Sequence, residues 1–283
     1  MNQSIHGLIN RILPQSFVDG PGNRSVVFLR GCNFRCLYCH NPYTINLCTA
    51  CGKCVDQCPV SALSVIDGEF SWAPEICEDC DQCIIHCPHL SSPKVYHLTP
   101  LEAWQQIKVN QPFISGITIS GGEPTLQPEF LEEFLKIIQQ NSFLDTCIET
   151  NGCIERTVLS RLLPYLDRVM VDLKAYEPDL HHRLTGVDNQ QTLKNIRFFA
   201  EESKLYMVRT TVVPGFTDSE TNIARTAEFL SKIDQDIHLR LIKFRPHGVI
   251  GEAKGWASPS DAVMKRLVDI AQMAGLRSVD YSF

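Results

Sequence analysis

Eleven of the thirteen cysteines in this 283-residue chain fall between residues 32 and 87, at intervals too regular to be incidental packing. The first three, Cys32, Cys36 and Cys39, form C-x3-C-x2-C. Each iron of an iron–sulfur cubane normally takes one cysteine ligand, so three thiolates leave one iron open to bind something else. A secreted disulfide scaffold is the other reading of a cysteine-rich chain. It fits poorly, because the count is odd, the chain is long, and the opening segment MNQSIHGLINRILPQSF lacks the apolar centre of a secretion signal.

The next eight cysteines form a second system. Cys48, Cys51, Cys54 and Cys58 precede Pro59; Cys77, Cys80, Cys83 and Cys87 precede Pro88. Both runs are C-x2-C-x2-C-x3-C-P and resemble the bacterial ferredoxin run, in which the fourth cysteine ligates the other cluster. The resemblance implies one [4Fe–4S] cluster on Cys48, Cys51, Cys54 and Cys87, and another on Cys58, Cys77, Cys80 and Cys83. Zinc sites also use C-x2-C pairs, but they do not require three evenly spaced cysteines and a fourth before proline, twice over. The segment is poor in apolar residues, so clusters would substitute for a core of its own.

Outside the cysteines, strand-like and helix-like segments alternate. Strands are expected at Ser25–Arg30, Gly116–Ile119, Asp145–Glu149, Arg168–Asp172, Tyr206–Val213 and Ile237–Ile242. Helices are expected from Thr99, with Glu102 completing a capping box, and over 129–140, 155–163, 192–202, 219–233 and 260–273. Six such units predict an α/β fold with a parallel sheet and right-handed crossovers. The count alone suits either an open barrel or a doubly wound sheet. Residues 47–95 interrupt the alternation as an insert, leaving 1–46 and 96–283 as the main domain. Cys147 reads as a small core residue, and His181–His182 as part of a polar loop. The net charge of −6 has no basic stripe, and no apolar run nears the roughly 18 residues of a membrane span. A soluble, cytoplasmic protein without nucleic-acid or membrane partners is expected.

The Cys32 loop, with aromatic Tyr38 before its last cysteine, and Gly121-Gly122-Glu123 after the strand ending at Ile119, resemble the radical S-adenosylmethionine (SAM) superfamily. The resemblance implies a partial (β/α)6 barrel with a ferredoxin-like insert, SAM chelated to the open iron, and its reductive cleavage to a 5′-deoxyadenosyl radical. A narrower likeness is to the activating enzymes of glycyl radical enzymes. It rests on Glu149-Thr150-Asn151-Gly152, Met170-Val171-Asp172-Leu173-Lys174, Asp19-Gly20-Pro21-Gly22 with Arg24, Arg209 with Val213-Pro214-Gly215, and His40-Asn41. There the radical removes a hydrogen from a glycine of the partner enzyme. That likeness assigns SAM contacts to Tyr38, Asn41, Gly121, Gly122, Glu123, Asp172, Lys174, Arg209 and His247. It assigns a monovalent cation to Glu149, Thr150, Met170 and Asp172, and the partner peptide to Asp19 and Arg24; Glu149 is one methylene longer than the aspartate usual at its position. An electron donor such as flavodoxin or ferredoxin is implied, with three [4Fe–4S] clusters in all. A radical SAM enzyme acting on a small molecule or another peptide would not need the Asp19–Gly22 motif or the paired strand-end acids. A ferredoxin-like electron carrier would not need the six strand–helix units.

Overall fold

The computed structural model describes residues 5–66 and 68–282. Its strands are β1 Gly7–Ser16, β2 Arg24–Leu29, β3 Leu63–Ile66, β4 Glu69–Trp72, β5 Tyr96–Leu98, β6 Gly116–Gly121, β7 Asp145–Thr150, β8 Arg168–Asp172, β9 Leu205–Val212, β10 Leu239–Lys243 and β11 Val279–Ser282. Its helices are α1 Gln82–Ile85, α2 Pro100–Lys108, α3 Pro128–Asn141, α4 Arg156–Leu162, α5 Pro178–Thr185, α6 Gln190–Glu201, α7 Glu220–Ser231 and α8 Asp261–Met273. All six expected strands are present, and α2 starts at the capping box of Thr99 and Glu102.

Nine strands form one sheet in the order β11-β10-β9-β8-β7-β6-β2-β1-β5. From β2 to β11 the neighbours run parallel and follow the chain without reversal. A doubly wound sheet reverses its order partway, so the sheet here is singly wound. Three of its strands have no counterpart among the expected elements. β1 contains Pro14 and two register breaks against β2, which blur its alternation. β5 and β11 are short edge strands of three and four residues.

Alternation along the strands splits the sheet into two unlike faces. One packs Ile117, Ile119, Ile148, Val169, Val171 and Val208 against the helices, where Phe130, Phe134, Phe199 and Leu230 are buried. Burying each such side chain contributes roughly 1.5–3 kcal/mol. The other face is layered. Cys147, Met170 and Met207 pack together in the middle, as expected for Cys147. Beneath them lies Arg24, 1% exposed, its guanidinium donating to Thr118 Oγ1, Ile117 O and Asp145 O at 2.8–2.9 Å and paired with the Asp145 carboxylate. Polar strand ends lie above. Arg24 therefore pins the base of the sheet and is not on a peptide-facing surface, contrary to the expectation. Among the described residues no helix is long and apolar enough to cross a membrane.

His181–His182 is not in a loop but in α5. Pro178 at the first turn and Gly186 in a left-handed conformation after the last mark its ends. His181 is fully buried, its ring edge-on to Phe34 at 5.4 Å.

The insert uses one backbone pattern twice. Ala50 and Asp79, each two residues after the first cysteine of a run, have φ of 53° and 51°; Ser61 and Leu90, each three after the fourth, have φ of 53° and 49°. The Ala62 and Ser91 amides donate to Cys58 Sγ and Cys87 Sγ at 3.2 and 3.4 Å. Leu63, Phe70, Trp72 and Ile84 share one apolar cluster with Cys54, Cys58 and Cys83.

Candidate active site

A cavity of about 310 Å3 opens at the C-terminal ends of β2, β6, β7, β8 and β9. The Cys32 loop leaves β2 through Gly31, whose φ of 89° suits glycine. The amides of Arg35 and Leu37 donate to Thr185 O and Leu184 O at 2.8 and 2.9 Å. Carbonyls that α5 leaves unpaired at its end thus hold the cysteine loop in place. Asn33 bridges to the end of β7, accepting from Asn151 Nδ2 at 2.7 Å and donating to Cys153 O at 3.0 Å. The sequence reading missed these supports; Pro178 and Gly186, which bound α5, are the local signals that could have revealed the helix.

Cys32, Cys36 and Cys39 all line the cavity. Burial pushes the Cys32 thiol up to about 12 and Cys36 up to about 11, and raises Cys39. Thiols in such surroundings ionise against a bound cation, which cluster iron supplies. Tyr38 lines the same cavity, with a buried hydroxyl that has no partner, and Gly121 and Gly122 present backbone to it. A β-carbon on either glycine would stand 2.1 Å from the carbonyl oxygen of Leu29 or Gly31, so only glycine lets β6 and the cysteine loop approach this closely. A cluster on three thiols, with a polar cofactor against Tyr38 and exposed backbone, fits this donor set.

Glu123 does not face the cavity. It is 0% exposed and accepts hydrogen bonds from Thr125, Thr150 and the Asn151 amide. It ties β6 to β7 behind the site and is not placed to meet an ammonium, contrary to the expectation. Burial raises its carboxyl above the usual value, opposed by those hydrogen bonds.

Asn41, Glu149, Thr150, Asp172, Lys174 and Arg209 line the cavity. Arg209 lies between the two strand-end acids, donating to Glu149 at 2.7 Å and Asp172 at 2.6 Å, and Lys174 adds a 3.0 Å contact to Asp172. Burial acts to raise the Asp172 carboxyl, but Arg209 and Lys174 overcome it and hold the group well below the usual range. The family likeness assigns a monovalent cation to these acids; in the structure the Arg209 guanidinium pairs with both of them. Met170 lies in the apolar layer beneath. His247 is exposed and is not among the lining residues, although the adjacent Gly248 abuts the His40 backbone. Asp19 does reach the cavity wall, fixed through its backbone carbonyl by Thr118 Oγ1 at 2.6 Å.

Two small cavities lie in the insert. Cys48, Cys51, Cys54 and Cys87 line one, and Cys58, Cys77, Cys80 and Cys83 the other. Among the described residues no three His, Cys, Asp or Glu side chains gather closely enough for a single metal ion.

The sequence matches the Radical SAM superfamily over residues 26–227. It is 32% identical to the indoleacetate decarboxylase activating enzyme of Tractidigestivibacter scatoligenes, over 92% of this chain and 93% of that one. It is 31% identical to the choline trimethylamine-lyase activating enzyme of Oleidesulfovibrio alaskensis, with the same coverage. The crystal structure of a domain of pyruvate-formate lyase-activating enzyme from Bacteroides vulgatus superposes with a TM-score of 0.53 at 26% identity, covering 60% of this chain and 99% of that one. A thiol-lined cavity at the ends of a singly wound parallel sheet, together with relatives matching nearly end to end, establishes that the chain belongs to the radical SAM superfamily, among the activating enzymes of glycyl radical enzymes.

Proposed function

We propose that the Cys32 cavity holds a [4Fe–4S] cluster and SAM, and that the protein installs a radical on a glycine of a separate partner enzyme. The observation that carries this reading is the meeting, in one cavity, of three thiols, two backbone-presenting glycines and the Arg209-bridged acids. Bound there, a [4Fe–4S] cluster would supply the electron for reductive cleavage of the SAM sulfonium C–S bond, giving methionine and a 5′-deoxyadenosyl radical able to take the glycine hydrogen. Cys32, Cys36 and Cys39 hold the cluster. Tyr38, Asn41 and the backbone of Gly121 and Gly122 orient SAM. Arg209 and Lys174 stand nearest the acids and offer positive charge to a carboxylate, taking the place of the monovalent cation. Asp19 lines the wall open to the partner's peptide. Positioning and exclusion of water are the protein's contribution, and no acid–base pair is required.

The insert, residues 47–95, is read as a ferredoxin-type unit holding two further [4Fe–4S] clusters, on Cys48, Cys51, Cys54 and Cys87 and on Cys58, Cys77, Cys80 and Cys83. The duplicated backbone and the two cysteine-lined cavities support this crossed pairing. It relays electrons from a donor such as flavodoxin or ferredoxin. The test of function is to incubate the reduced, reconstituted protein with SAM and a glycyl radical enzyme encoded beside it, and to record EPR spectra. A glycyl doublet on the partner is expected; SAM cleavage that leaves every such partner without a radical would overturn the reading.

A further inference from the structure

Arg30 has no role in the activity above, yet it is one of the most deeply buried side chains in the molecule, at 1% exposure. Its partners are all neutral. Nη1 donates to Asn10 Oδ1 at 3.2 Å, and Nη2 donates to Asn46 O, Ser91 Oγ and Ser92 O at 3.0–3.1 Å. Nε is buried without a partner. No carboxylate lies within ion-pair distance among the described residues. Leaving a guanidinium out of water and uncompensated costs several kcal/mol, so the fold holds a positive charge here for which the polypeptide supplies no carboxylate.

Its surroundings say what the charge is for. Ser91, which accepts from Arg30, donates its own amide to Cys87 Sγ at 3.4 Å. Asn46, which also accepts from Arg30, is bridged to Ser91 and lies two residues before Cys48. Through these partners Arg30 reaches both ends of one cysteine group, Cys87 by way of Ser91 and the approach to Cys48 by way of Asn46. On its other side, Arg30 is followed by Gly31 and Cys32, whose amides bond to Thr44 O and Ile45 O. One buried cation thus stands between the catalytic loop and half of the insert.

The other half has the opposite charge. The cavity of Cys58, Cys77, Cys80 and Cys83 is lined by Glu78, Asp81 and Lys94, and Lys94 is already neutralised by Asp79 and Asp81 at 2.9 and 2.8 Å. The cavity of Cys48, Cys51, Cys54 and Cys87 is lined by Lys53 and His89 and by no carboxylate. We infer that Arg30 is the countercharge of the cluster on Cys48, Cys51, Cys54 and Cys87 and sets its reduction potential above that of its twin, so that electrons entering at the acidic half run downhill toward the catalytic loop. This rests on the two-cluster reading of the insert. One-electron reduction adds one negative charge to the cluster and moves no atom, and a fixed cation beside it favours the reduced form.

The experiment is iron analysis and an EPR-monitored redox titration of the full chain, reconstituted anaerobically, as wild type, Arg30→Gln and Arg30→Lys. About twelve irons per chain are expected, with two separate insert midpoints. Arg30→Gln should move the upper midpoint down toward the lower and leave the lower unmoved, while Arg30→Lys keeps the split. If Arg30→Gln loses one cluster that Arg30→Lys retains, the need for charge is equally supported. Twelve irons with both midpoints unchanged in Arg30→Gln, or a cluster lost from both variants alike, would overturn the countercharge. About four irons in the wild type would overturn the two-cluster reading itself.

Discussion

Glu123→Gln separates a structural role from a cofactor contact. Oε1 accepts from the Thr125 amide at 3.2 Å, from Thr125 Oγ1 at 2.6 Å and from Thr150 Oγ1 at 2.8 Å; Oε2 accepts from the Asn151 amide at 2.7 Å. Each oxygen therefore faces a backbone N–H, which cannot reverse its polarity. Glutamine makes one of the two positions a donor, so either flip of its amide leaves one buried N–H unpaired and facing another N–H. An unsatisfied buried donor costs about 1–3 kcal/mol. With Glu123 wholly inaccessible the cost belongs near the top, about 3 kcal/mol, or roughly a hundredfold in the folded ratio. Anaerobic urea unfolding followed by far-ultraviolet circular dichroism should show a lower midpoint, while SAM affinity measured well below the transition changes little. Unchanged unfolding with SAM affinity lost would refute this and put the carboxylate on the SAM ammonium.

Three further outcomes concern the site and the insert. Wild-type SAM affinity should be the same in potassium and in a bulky organic cation. Arg209→Met should weaken binding tenfold to a hundredfold and make it potassium-dependent. About 1.5–3 kcal/mol is taken for the loss rather than the 3–5 of a dry pair, because the paired side chains keep 10–25% exposure; potassium dependence already present in the wild type would return the cation to the site. Replacing Cys77, Cys80 and Cys83 with Ala should slow activation by a flavodoxin-type donor but spare SAM cleavage driven by dithionite. Equal failure with both reductants, in a variant that still binds SAM, would rule out the relay.

The cysteine spacings, with the ferredoxin resemblance for the crossed pairing, grouped the thiols as they line three separate cavities, because residues on a short loop are held at fixed sequence intervals whatever the rest of the chain does. Hydrophobic alternation located six of the seven parallel strands for the same reason: strand parity is local. The likeness to the activating enzymes pointed to Glu149 and Asp172, and both line the cavity at neighbouring strand ends. What the linear chain did not contain was the direction and company of individual polar side chains. Glu123 follows two glycines that do line the cavity, yet its carboxylate turns behind the strand because the Asn151 amide, 28 residues away, offers a better partner. Arg24 stands next to the Asp19 motif and is drawn beneath the sheet by Asp145. Arg209 was expected to touch SAM, but its place between two acids depends on the alignment of β7, β8 and β9. Arg30 carries no motif at all. Its burial against Ser91 and Asn46 joins segments 16 to 62 residues away from it, and such long-range electrostatic company is decided only when the tertiary fold brings those segments together.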